Sequence, residues 1–124
     1  MSCLYINSKG FVHRDIRWAN IIQLIEYTPD NVEIVSYLVI DFEFAAELGD
    51  PMEIYDYIHK HIVSYGDNYY ARHDMKLVAK LVQTWAESNN VVLSEDALNF
   101  VDSLSIDVGN LEAKEALQHS WLLG

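Results

Sequence analysis

Asp15, Asn20 and Asp41 are the residues of this sequence whose types and placement suggest chemistry first. His13-Arg14-Asp15 follows the apolar pair Phe11-Val12, and Asn20 comes five residues after Asp15. Asp41 stands directly after Tyr37-Leu38-Val39-Ile40, at the end of a stretch that reads as a buried strand. An ionised carboxylate there is costly unless it is paired or binds a metal. If the chain folds back between these segments, Asp41 arrives near Asn20 and Asp15. Two carboxylates and an amide at one loop end form a hard, oxygen-only donor set suited to Mg²⁺.

The elements that must position them are legible as patterns. Ile21, Ile22, Leu24 and Ile25 form one apolar run, and Val35 with Tyr37–Ile40 forms another. Thr28-Pro29-Asp30-Asn31 between them is a turn signal, which predicts a β-hairpin. From about residue 50 the apolar period lengthens from two to that of a helix. Asp50-Pro51 reads as a cap with Pro in the first helical position, followed by Ile54, Ile58 and Ile62. Asp74 reads as the cap of a stronger helix with Leu77, Val78, Leu81, Val82 and Trp85 along one face, ended by Ser88-Asn89-Asn90. Ser94 opens another helix, with Ala97, Leu98, Val101 and Leu104 inward, and Asn110 caps a last one carrying Leu117 and Trp121. A small hairpin unit followed by helices predicts an α+β, mainly helical fold.

Composition sets outer bounds. With 124 residues, 51% of them hydrophobic and 22% charged, the chain has room for one domain around one core. Eight Lys and Arg against 19 Asp and Glu give a net charge of −11. That excess repels nucleic-acid phosphates and anionic lipid, so neither is expected as a partner, but it leaves room for a nucleotide held through cations. No apolar stretch approaches a membrane span. Met1–Lys9 has neither the basic start nor the apolar core of a signal peptide, and the lone Cys3 suits a reducing compartment, so an intracellular protein, cytoplasmic or nuclear, is expected.

His13-Arg14-Asp15-Ile16-Arg17-Trp18-Ala19-Asn20 resembles the protein-kinase catalytic loop H-R-D-L-x-x-x-N, and Asp41-Phe42-Glu43 resembles the D-F-G that follows it. Asp74 and the helix after it look like the central C-lobe helix, whose leading Asp braces the catalytic-loop backbone. Glu115–Leu122 looks like the closing A-x-x-x-L-x-H-P-W-F segment, with Ser120 in place of Pro. The resemblance implies a kinase-like C-lobe in four parts. Residues 1–20 carry a helix end and the catalytic loop; 21–45 carry the hairpin and the D-F-G-like segment. Residues 46–73 correspond to the activation segment, and 74–124 to the C-lobe helices.

It also implies roles. Asp15 accepts the proton of a substrate hydroxyl and orients it for in-line attack. Arg17 stands where a Lys usually touches the transferred phosphoryl group. Asn20 and Asp41 hold the Mg²⁺ that accompanies ATP, while His13, Arg14, Phe42 and Asp74 support the site. Arg14 is placed to pair with a phosphorylated activation segment, with Tyr55, Tyr57, Ser64, Tyr65, Tyr69 and Tyr70 as candidate acceptors. The implied reaction is phosphoryl transfer from Mg²⁺-ATP to a protein hydroxyl, Ser/Thr in class.

Departures qualify this picture. Glu43 replaces the Gly of D-F-G, which predicts a stiffer Asp41-Phe42 unit. No A-P-E follows, only Tyr70-Ala71-Arg72 near its place. These residues include no G-x-G-x-x-G loop and no V-A-I-K lysine, so little transfer is expected from the 124 residues alone, and a partner is expected over the open interlobe face. Two alternatives stay open: a non-catalytic kinase remnant or interaction module, and a small-molecule kinase of the choline or aminoglycoside type, whose D-F-E-Y-A is matched by Asp41-Phe42-Glu43-Phe44-Ala45. His59, His61 and His73 lack Cys partners and zinc-ligand spacing, so packing rather than metal binding is expected of them. Trp85 and Trp121 are expected in the core.

Overall fold

The computed structural model describes residues 2–53, 62–105 and 112–124. The fold is α+β and mainly helical. Helix α1 (Ser2–Ser8) leads through Gly10 into strand β1 (Phe11–Val12), and a single 3₁₀ turn over Trp18–Asn20 opens strand β2 (Ile21–Tyr27). Strands β3 (Glu33–Val39) and β4 (Ala46–Glu47) follow, then helices α2 (Ala71–Ser88), α3 (Glu95–Leu104), α4 (Ala113–Ala116) and α5 (Ser120–Leu123).

The β2–β3 hairpin runs in unbroken antiparallel register from Ile21↔Val39 to Tyr27↔Glu33. Its loop closes through Thr28: the Thr28 amide donates to Val32 O at 2.9 Å, and Thr28 Oγ1 accepts from the Val32 amide at 3.0 Å. Asn31 takes the left-handed conformation (φ 62°), which Asn tolerates better than most residues. β1 pairs with β4, Phe11 opposite Glu47 and Val12 opposite Ala46.

Helix α2 starts at Ala71, one turn before Asp74, so Asp74 is an inward-facing residue of the first turn rather than the cap. At its C-terminal end Asn90 is left-handed (φ 52°), and the Val91 amide returns to Ala86 O at 2.9 Å. Ser94 caps α3, its Oγ accepting from the Ala97 amide at 3.2 Å, with Glu95 and Asp96 favourably placed in the first turn.

The main core lies between α2, α3 and α4: Ile16, Met75, Leu77, Ala79, Phe100, Val101, Leu104, Ala113 and Ala116. A smaller cluster of Val12, Met52, Val63 and Tyr69 sits under β1 and β4. The end of the chain docks on α3, where His119 and Trp121 meet the Phe100 ring with centroids 5.2 and 5.1 Å away.

Several expectations are corrected. Asp50-Pro51 does not start a helix: Pro51 bridges Asn68, and the Met52 amide donates to Asp67 O at 2.7 Å. Ile54 and Ile58, with His59 and His61, lie outside the described residues, as does Asn110. Leu98 points outward, and Phe100 takes its place in the core. Trp85 and Trp121 are both substantially exposed. Among the described residues no helix is long and apolar enough to cross a membrane.

Candidate functional site

Residues 13–20 form a loop held from beneath by one buried carboxylate. The Asp74 side chain, fully buried, accepts from the His13 amide through Oδ2 at 2.8 Å and from the Arg14 amide through Oδ1 at 2.9 Å. The Tyr69 hydroxyl adds a third bond to Oδ1 at 3.0 Å. Burial pushes the Asp74 carboxyl above its usual 3.8, while these three donors pull it back. The brace has a conformational purpose. Arg14 is left-handed (φ 69°), an unusual state for a long side chain, and adjacent amides tied to one carboxylate hold it there.

From that bend the loop is fixed by its own side chains. The Asp15 amide donates to His13 Nδ1 at 3.1 Å, and His13 Nε2 lies 2.9 Å from Ile40 O. A neutral His13 that accepts at Nδ1 carries its proton on Nε2 and donates it to that carbonyl. One imidazole thus links the loop to the end of the hairpin. Phe42 packs edge-on against the same ring, centroids 5.1 Å apart. The Arg14 side chain, almost wholly buried, donates from Nε to Phe44 O at 2.6 Å and from Nη1 to Pro51 O at 3.1 Å. It therefore ties down the segment after Asp41-Phe42-Glu43 through backbone carbonyls.

Asn20 and Asp15 meet directly. The Asn20 amide nitrogen donates to Asp15 O and to Asp15 Oδ2, both at 2.9 Å, with both residues buried. Two acceptors on one side fix the orientation of the amide and turn Oδ1 away from Asp15. The Ile40 amide donates to Asn20 O at 2.7 Å, so Asp41, the next residue, emerges at the same hairpin end as Asn20. Arg17, exposed, approaches Asp15 Oδ1 with Nε at 3.4 Å, a weak surface pair.

Asp41 is not buried, contrary to expectation. Most of the hairpin is exposed, so the strand that ends at Asp41 delivers its carboxylate to solvent. Asp41 itself is left-handed (φ 64°), and its Oδ1 accepts from the Glu43 amide at 3.2 Å. The tight bend falls on Asp41, a residue type that tolerates it, while Glu43 keeps an ordinary φ. That is how Glu is accommodated at the third position.

Of the candidate phosphorylation sites, Tyr69 is fully buried with its hydroxyl on Asp74, which removes it. Tyr65 is exposed; Tyr55 and Tyr57 lie outside the described residues. Tyr69 as a partner of Asp74, and the carbonyls of Phe44 and Pro51 as partners of Arg14, were not legible beforehand. Only an aromatic just ahead of an acidic residue in a helix start hinted at the first.

Beside the brace, His73 Nδ1 accepts from the Tyr70 amide at 2.8 Å, closing the first turn of α2. Burial, with Arg72 and Lys76 close by, lowers its pKa from the usual 6.5 to about 4. The unfolded chain therefore binds the extra proton between these values, so stability contributed by neutral His73 is lost as pH falls from about 6.5 to about 4. Asp74, shifted upward, acts with opposite sign in acid, so the effect is isolated by comparison with His73→Gln, which also accepts from Tyr70 and does not titrate. Wild type should lose about 1–2 kcal/mol more than His73→Gln between pH 7 and pH 4.5, after discounting for solvent screening. Urea unfolding at the two pH values measures it; parallel losses would place the titration elsewhere.

Comparison with protein-family models, with curated proteins and with solved structures finds no match to this chain.

Proposed function

We propose that this chain is a protein-kinase-like C-lobe that binds Mg²⁺-ATP at the end of the β2–β3 hairpin, in the service of phosphoryl transfer to a protein Ser/Thr hydroxyl. The observation that carries the reading is the joint placement of loop 13–20 and Asp41 at one end of the hairpin, over a buried Asp74 that ties two consecutive amides of the loop. That two segments far apart in sequence meet there supports the reading drawn from the catalytic-loop and D-F-G resemblance.

The donor set fits a hard divalent cation. Asn20 Oδ1 is turned away from Asp15 and takes no hydrogen bond from the described residues, and the exposed Asp41 leaves the hairpin at the same end. Asn20 and Asp41 would hold Mg²⁺, which supplies positive charge to the phosphate oxygens. Asp15 would take the proton of the attacking hydroxyl as its oxygen bonds the γ-phosphorus and the bond to ADP breaks. Arg17, exposed and next to Asp15, is free to swing its guanidinium toward the transferred group.

The test is thermal unfolding with and without millimolar Mg²⁺-ATP. Ligand at about ten times its Kd stabilises the folded state by about 1.4 kcal/mol, a rise of several degrees for a chain of this size. The rise should require Mg²⁺ and vanish in Asp41→Asn, whose side chain is exposed and whose amide oxygen can still accept from the Glu43 amide. No rise in the well-folded wild type would overturn the reading. It would favour a non-catalytic interaction module, which one observation supports independently: the hairpin exposes apolar side chains on both faces.

A further inference from the structure

We propose that the outer half of the β2–β3 hairpin is a docking surface for an extended, Lys/Arg-bearing segment of a protein partner. The pleat sorts the hairpin into two faces. Ile22, Leu24, Ile34 and Leu38 lie on one face. The opposite face carries Ile21 and Val39 at its base, half-buried against the body. Beyond them it carries the cross-strand pair Ile25↔Val35 and the flanking Tyr27 and Tyr37. These four are 51%, 42%, 64% and 63% exposed respectively. The surface does not depend on the nucleotide reading.

Two features argue that it is normally covered. A contiguous apolar patch on a projecting element is a liability in a free monomer. Two of the usual protections of an exposed edge are missing too: neither strand contains Lys or Pro, and the register has no bulge. In antiparallel pairing the Ile40–Asn20 and Thr28–Val32 bonds place Ile25, Tyr27, Val35 and Tyr37 at positions whose own amides and carbonyls face outward. An added strand therefore finds backbone partners as well as side chains.

Charge selects the occupant. Residues 18–59 contain no Lys or Arg, and Glu26, Asp30 and Glu33 surround the hairpin tip. A second copy would bring the same acidic rim and another net charge of −11, so self-association through this face is opposed. A segment alternating aliphatic and cationic side chains matches it. Along one edge its apolar residues would extend the face of Ile25 and Tyr27, or of Val35 and Tyr37, while its cations, on the other face of the pleat and at the tip, would meet the acidic rim.

The probes are two fluorescent peptides of about ten residues, alternating Val with Lys or Val with Glu, titrated by anisotropy. The Lys peptide should bind at least about tenfold more tightly than the Glu peptide, and should weaken about tenfold between about 50 and 300 mM salt. The double variant Tyr27→Lys/Tyr37→Lys should lose about tenfold, as should Glu33→Lys, a surface change that leaves the apolar pairs intact. Val92→Lys, on the exposed linker between α2 and α3, should change nothing. Equal binding of both peptides, unchanged affinity in both hairpin variants, or no binding of the Lys peptide would overturn the proposal. So would a wild-type dimer that the double variant dissociates, because the occupant would then be a second copy.

Discussion

Asp74→Ala is expected to destabilise the fold by about 3–5 kcal/mol, a large part of the total stability of a domain this size. The substitution strands three donors at once: the amides of His13 and Arg14 and the hydroxyl of Tyr69, all in buried residues. Each such loss costs about 1–3 kcal/mol, and the sum is reduced where a water enters the space left behind. The left-handed backbone at Arg14 also loses the contact that holds it. Asp74→Asn should fall between, because its oxygen can accept one amide while its NH₂ faces another donor. Tyr69→Phe, which removes one bond and leaves the charge paired with amides, should cost only about 1 kcal/mol. Urea unfolding of the three variants checks the order. A loss under 1 kcal/mol for Asp74→Ala would mean that the loop is held by something else.

That brace was legible in part. The resemblance to a kinase C-lobe implied it, and the helix after Asp74 is plain from its apolar period. The cap assignment failed because the first turn, Ala71-Arg72-His73, carries no residue that marks a start. Tyr70 and His73 close that turn through an amide-to-imidazole bond that composition does not advertise.

The hairpin was readable because β-branched runs and a Thr-Pro-Asp-Asn turn act locally. Its burial was not. An apolar strand is buried only if another layer covers it, and here the body reaches just Ile21 and Val39 at the base. The same reasoning explains Trp85: the helical period identifies a face, but α3 and α4 decide how much of that face is covered. Two-residue strands such as β1 and β4 have no period to read, and Asp50-Pro51 served a bridge to Asn68 instead of a helix start.

Asn20→Asp is the second large effect, and it separates the packing of the site from its proposed chemistry. In the native loop the Asn20 amide nitrogen donates to both Asp15 O and Asp15 Oδ2. A carboxylate in its place sets acceptor against acceptor and charge against charge in a buried setting, which should cost about 3 kcal/mol at pH 7. Asn20→Ala should cost about 1–2 kcal/mol, since it loses the bonds without adding repulsion. Two carboxylates that share one site take up a proton at higher pH than the unfolded chain does. The folded variant then binds the extra proton, so its deficit should shrink as pH falls from 7 toward 5. Mg²⁺ gives the functional contrast. If residue 20 and Asp41 hold the ion, about 10 mM Mg²⁺ should restore the variant more than it stabilises wild type, and Asp41→Asn added to the variant should abolish the recovery. Recovery by acid without recovery by Mg²⁺ would confirm the Asn20–Asp15 contact and remove the cation from this end of the hairpin.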